Sequence, residues 1–452
     1  MRPIRLLAPL LAALALALPA AAQPFAAPSQ ADTTLRIYLV TMGPGDAIWE
    51  RFGHNAIWVH DPRSGRDPAY NYGMFDFRQE NFILNFARGR MLYWMQGFDA
   101  FVTLDHYRSF NRSVWVQELN LTPEQAQAVK AYLEWNEQPE NRFYRYDYYR
   151  DNCSTRVRDV IDRVLGGALK SATDSVPSGT TYRWHTRRLV ADNASSIPMY
   201  TMLEGGLGPG ADRPISKWEE MFLPMRLHDE VRGFKVRDAS GNLVPLVARE
   251  QTVFTALRPP ERSGPPKSWL IGYLVAGLAV GGVIALLARA ARRSTAARVG
   301  FSLVTVPWLL FAGVGGVILL GLWGLTDHAI AYRNTNLFQL SPLALPLVAL
   351  VPALAWGKRW ARRGAVRLAL VVAALSVLGL LLKILPWFHQ VNGEIIALAL
   401  PINLAIAWAA WRLAGEPEVG MLAARAQRGS RAKYDAALAE VPDVEPDEYD
   451  RR

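Results

Sequence analysis

The chain has 452 residues, 51% of them hydrophobic, a formal net charge of +10 and a single cysteine. One cysteine excludes an intramolecular disulfide and any zinc cluster built on several cysteines. The positive balance would suit nucleic acid, but much of it sits in short basic loops between apolar stretches, where it reports membrane orientation.

In chain order, residues 1–22 read as a signal peptide. Arg2 and Arg5 precede the short apolar core "LLAPLLAALALAL", and Ala20 to Ala22 supply a small-residue cleavage pattern. Residues 23–257 read as one external α+β domain. "TLRIYLVTMG" (34–43), "HNAIWVHDP" (54–62), "AYNYGMFDF" (69–77) and "RSVWVQELNL" (112–121) have the β-branched and aromatic content of strands. Between the first two, "GPGDAIWERFG" reads as a turn and a short helical stretch. Thr122 caps a helix over 122–136, with Ala126, Val129 and Leu133 on its inner face. In "RYDYYRDNCSTRVRDVIDRV" (145–164), Val157, Val160, Ile161 and Val164 follow Cys153 at the helical period. The cysteine therefore opens a helix capped by Asp151 or Asn152.

"RPPERSGPPKS" (258–268) reads as a Pro-rich linker. Beyond it, residues 269–412 hold five apolar stretches, 269–288, 301–325, 337–356, 366–386 and 393–412, each near the length of about 20 residues that crosses a bilayer. "RAARRSTAARVG" and "GKRWARRGAVR" are basic, whereas "TDHAIAYRNTN" and "PWFHQVNGE" are nearly neutral. The first pair belongs in the cytoplasm and the second outside, on the side of the N-terminal domain. Residues 413–452 read as a polar cytoplasmic tail. No internal repeat and no P-loop, metalloprotease or serine-elbow pattern is present.

A thiol in the first turn of a helix meets the positive end of the helix dipole, which favours the thiolate, and Arg150 and Arg156 are close in sequence. Such a thiol needs an imidazole. The external domain offers His54, His60, His106, His185 and His228. His54 begins a strand after a glycine and is the candidate base; His60 shares its face. The plainer alternative is that Cys153 is a small buried apolar residue and His54 a structural one.

"IWERFGHNAIWV", "YNYGMFDF", "YDYYRDNCSTRVRD" and "WEEMFLPMRL" resemble the N-terminal periplasmic domain of the Lnb family of lipoprotein intramolecular transacylases, over roughly residues 34–250, and the membrane portion is similar in layout. The His-before-Cys order is also similar, more distantly, to permuted papain-like thiol enzymes such as the lecithin:retinol acyltransferase group. The resemblance implies a permuted papain-like α+β domain, with the cysteine at a helix N-terminus packed on an antiparallel sheet, followed by five membrane helices. It implies Cys153 as nucleophile and His54 as base, oriented by Asn71 or Tyr72. An acyl chain would pass from a lipid ester through a Cys153 thioester to an amine, and the N–H of Cys153 would help bind the oxyanion. Asn152, Arg156, His328, Asn334 and Asn336 are the expected substrate-binding residues. No cofactor or metal is expected, and no nucleic acid. The expected partner is a membrane lipid or lipoprotein at the bacterial inner membrane, and oligomeric state is left open. A cell-wall amidase or peptidase on the same machinery, and a non-catalytic membrane scaffold, are the alternatives.

Overall fold

A computed structural model describes residues 34–191, 196–238 and 240–415. The expected signal peptide and all but the first three residues of the expected tail lie outside the described residues. The chain forms two compact units, one from residues up to Ser268 with Gly321–Asn334, the other from Trp269–Leu320 and from Thr335 onward.

The first unit is built on a seven-stranded antiparallel sheet. Its strands are β1 (Arg36–Met42), β2 (His54–His60), β3 (Pro68–Met74), β4 (Leu92–Asp99), β5 (Val114–Leu119), β6 (Phe143–Arg145) and β7 (Val247–Phe254), in the order β7-β5-β1-β2-β3-β4-β6. The helices used below are α1 (Phe82–Ala87), α2 (Ala100–Ser109), α3 (Pro123–Glu137) and α4 (Cys153–Val164). Central strands β1 and β2 are buried along almost their whole length because both faces are covered. Ile37, Leu39, Ile57, Val59 and Tyr72 pack against Val129 and Leu133 of α3 and Val157, Val160 and Ile161 of α4. On the other face Tyr38, Val40, Ala56 and Trp58 pack against Ala100 and Leu104 of α2. A third cluster, around Tyr149, Tyr182 and Phe222, joins the start of α4 to the helices that follow it.

Thr122 caps α3 as the sequence indicates, accepting from the Gln125 N–H, with Pro123 in the first turn. The Pro-rich stretch is fastened to the domain rather than free. Arg258 donates to Asn111 O at 2.8 Å and to the Asp46 carboxylate at 3.0 and 3.1 Å. Arg188 donates to Glu261 at 2.7 Å.

Among the described residues, four helices are long and apolar enough to cross a membrane: Leu270–Ala290, Thr295–Leu325, Ala361–Ile384 and Gly393–Ala414. The third expected stretch, 337–356, is not one helix. Thr335–Ala344 and Leu347–Ala355 meet at a bend of 59°, so the spans number five only if this pair counts as one. Pro346 lies in this break and Pro342 just before it, where their missing N–H groups and rings oppose a continuous helix. Polar side chains of neighbouring helices satisfy the interruption. Asn403 donates to Gln339 O at 3.1 Å and to Ser376 Oγ at 2.7 Å, and Asn392 donates to Asn336 Oδ1 at 2.6 Å. Helix Leu270–Ala290 approaches Gly393–Ala414 so closely that a Cβ at Gly277 would lie 2.6 Å from Ala397 O.

Candidate active site

His54 stands at the start of β2, where the strand leaves its turn. The register pairs Ala56 with Asn71, so Asn71 of β3 lies on the same face as His54. Asn71 Nδ2 donates to Ala69 O at 2.9 Å, which turns Oδ1 toward the imidazole, 3.0 Å from Nε2. Nε2–H is therefore the donor, and Nδ1 keeps its lone pair. The ring lies parallel to that of Tyr107, with centroids 6.0 Å apart. Burial, reinforced by the positive charge of Arg112, lowers the His54 pKa to about 4 against the opposing effect of the Asn71 bond. The imidazole is neutral at neutral pH.

Cys153 is the first residue of α4 and is half-buried. Asn152 makes the helix start: its Oδ1 accepts from the N–H groups of Ser154 and Thr155, both at 2.9 Å. Its Nδ2 donates to Tyr148 O and Phe222 O, also at 2.9 Å. Gly73, with φ +88°, passes beside the thiol; a Cβ there would lie 3.6 Å from Cys153 Cβ. The N–H groups of Asn55, Ser154 and Cys153 itself, with the charge of Arg112, favour the anionic sulfur. Burial outweighs them and pushes the thiol above its ordinary value. The thiolate expected from the helix dipole is thus not the resting form, because desolvation by the surrounding chain exceeds the local dipole. No hydrogen bond joins Sγ to the imidazole among the described residues; such bonds commonly tighten only when substrate binds. Asn55, whose N–H favours the anionic sulfur, is the residue next to His54.

Arg112 has no counterpart in the sequence reading. It is 5% exposed, donates to Gly43 O at 2.9 Å, lies 3.5 Å from Glu50 and sits over the Tyr107 ring at 4.7 Å. Its Nη2 is buried without a hydrogen-bond partner among the described residues. It reaches the site through the pairing of β1 with β5, just before which it lies, and no local pattern marks it.

The other expected site residues are placed as follows. Tyr72 points to the opposite face from Asn71 and donates to Asn136 at 2.7 Å inside the core, so Asn71 alone of the pair meets His54. Asn152 is consumed by capping α4. Arg156 pairs with Asp151, Nη2 to Oδ2 at 2.6 Å, and lies 4.2 Å from the centre of the Tyr144 ring. His328 donates to Phe86 O at 2.9 Å, and Asn334 to Gly205 O at 2.8 Å, both within the first unit. Asn336 belongs to the second unit, bonded to Asn392. His60 shares the His54 face but is bound to Asp67 at 2.6 Å. Among the described residues no group of three or more His, Cys, Asp or Glu side chains is arranged to hold a metal ion.

A thiol and a neutral imidazole with a free Nδ1, set beside converging N–H groups, can carry out nucleophilic acyl chemistry. Residues 27–193 match the family model of the Lnb N-terminal periplasmic domain, and residues 272–413 match that of the Lnb transmembrane domain. No curated protein and no solved structure matches the chain.

Proposed function

Because the chain belongs to the Lnb family, and is a multi-pass membrane protein with a periplasmic N-terminal domain, we propose that it is a thiol acyltransferase acting on a lipid ester. The donor we assign is the diacylglyceryl group of a lipoprotein, and the acceptor is an amine. Cys153 Sγ attacks the ester carbonyl as His54 Nδ1 takes the thiol proton. The carbon–sulfur bond forms, and the N–H of Cys153 at the helix start, with that of Asn55, faces the developing oxyanion. The ester carbon–oxygen bond then breaks, and the imidazolium gives its proton to the departing glyceryl oxygen. A neutral amine attacks the thioester, the carbon–nitrogen bond forms, the carbon–sulfur bond breaks, and the amine proton passes through His54 to the departing sulfur. Asn71 holds the ring so that Nδ1 faces this chemistry. Burial disfavours both the thiolate and the imidazolium, so the proton moves only as the carbon–sulfur bond forms.

One observation carries this reading. The single thiol opens a capped helix, beside the N–H of the residue that follows an imidazole held by Asn71. The test is full-length protein in detergent with a synthetic diacylglyceryl lipopeptide, with fragmentation mass spectrometry to locate the acyl chains. One chain should move to the N-terminal amine with the native protein and remain in place with Cys153→Ala. Cleavage of a cell-wall peptide in place of acyl movement would replace this reading with the amidase.

A further inference from the structure

A group of exposed apolar side chains of the first unit gathers around α1. Ile83 is 82% exposed, Phe77 64%, Trp49 60% and Phe86 53%, and Leu84 lies among them. Ring contacts make this one patch: Trp49 to Phe77 at 6.4 Å, and Phe77 to Phe82 of α1 at 5.2 Å. Scattered exposed apolar residues are ordinary, but a contiguous patch of this kind marks a surface that something covers.

The chain itself says what covers it. Leu325 ends a helix long and apolar enough to cross a bilayer. Within the next three residues, Asp327 N–H donates to Arg88 O at 2.8 Å and the Asp327 carboxylate holds Arg90 at 2.8 Å. His328 donates to Phe86 O at 2.9 Å. The C-terminal end of α1 is therefore clamped to the point where a membrane span ends, at the boundary between hydrocarbon and water. Aromatic and aliphatic side chains with a neighbouring exposed Arg88 suit that boundary. A file of rings leads inward from it. Phe77 meets Phe75 at 5.1 Å, Phe75 meets Tyr93 at 5.1 Å, and Tyr93 stacks on Tyr146 at 4.3 Å. Tyr146 and Cys153 both flank Gly73, where a Cβ would lie 3.9 Å from the ring and 3.6 Å from Cys153 Cβ.

We propose that the α1 face is immersed in the outer leaflet and is the portal through which a membrane lipid brings its acyl chain to Cys153. The immersed face is lipid-binding in its own right; the route to sulfur rests on the acyltransferase reading. Because the chain has one cysteine, a single nitroxide can be placed without background. Full-length protein carrying Cys153→Ala with Ile83→Cys, and likewise with Phe86→Cys, is labelled and reconstituted in liposomes of phosphatidylcholine and phosphatidylglycerol. Immersion predicts that dissolved oxygen reaches both labels more often than an aqueous nickel complex does. Free access of the nickel complex overturns it, and so does exclusion of both, which a covering protein or a second copy would give. This readout needs no activity, so it stands or falls apart from the acyltransferase reading. In protein that retains Cys153, Ile83→Asn with Phe86→Asn should slow transfer from a bilayer-embedded lipopeptide roughly tenfold or more. An unchanged rate overturns the route.

Discussion

Two imidazoles in the first unit share a lowered pKa and differ in use. His54 and His185 both have their pKa lowered by desolvation. His185 is 0% exposed and has both nitrogens occupied: Nε2 lies 2.9 Å from Glu220 and 3.0 Å from Thr180, and Nδ1 accepts from Arg188 at 3.2 Å. His54 has one nitrogen bonded to Asn71, and its other makes no hydrogen bond among the described residues. An imidazole with both nitrogens engaged holds the fold; one whose second nitrogen keeps its lone pair is chemically able to take up a proton. The comparison separates function from burial more sharply than either residue type or a perturbed pKa does.

The strongest way to break it is to exchange the two losses. His54→Ala should reduce transfer by roughly 1,000-fold or more with little change in thermal stability. His185→Ala leaves Glu220 and Arg188 without their partner in the interior, and should cost about 3 kcal/mol of stability while the folded fraction keeps its activity. Transfer assays and thermal melts on the two variants decide the matter; the reverse pattern would assign the roles the other way round. Asn71→Ala frees the imidazole to turn, and transfer should fall roughly 10- to 100-fold with the melt almost unchanged.

A smaller effect reads the electrostatics. With the His54 pKa at about 4, the rate of Cys153 acylation by the ester should hold level as pH falls from neutral and decline only as the imidazole protonates near that value. Arg112→Met removes a charge that lowers the His54 pKa, so the acid limb of the pH–rate profile should move upward toward the ordinary histidine range. Alkylation of Cys153 by iodoacetamide should be slow at neutral pH and rise on the alkaline side, because burial keeps the thiol protonated. Tyr72→Phe should have the smallest effect, losing only the bond to Asn136 at about 1 kcal/mol, without altering transfer. An activity loss there as large as at Asn71 would end the distinction between the two faces of β3.

Much of this architecture was legible in the residues, and what was not has identifiable causes. Strands β1, β2, β3 and β5 carry runs of β-branched and aromatic side chains, and α3 and α4 announce their caps and inner faces. Strand β4, "LYWMQGFD", mixes Gly, Gln and Asp into its run, and β6 is three residues long, so neither has a period to detect. Strand β7 is found only through its pairing with β5. In the membrane portion, length and hydropathy were visible, but the bend at Pro342 to Pro346 depends on which polar side chains stand ready to take its backbone groups. At the site, the place of Cys153 at a helix start and of His54 at a strand start after a glycine nominated both. Choosing Asn71 over Tyr72 required the register of β2 on β3, and Arg112 required the pairing of β1 with β5. The resting charge of the thiol was misjudged from the helix dipole, a local property, where desolvation by the whole fold decides.

The most direct test of the central claim is to trap the thioester. Full-length protein is mixed with a diacylglyceryl lipopeptide whose N-terminal amine is blocked by acetylation, quenched in acid, digested and analysed by mass spectrometry. An acyl group on Cys153, released by neutral hydroxylamine and nearly absent in His54→Ala, is the predicted result. Acyl transfer that proceeds in Cys153→Ala, or an acyl adduct carried by another residue, would contradict it.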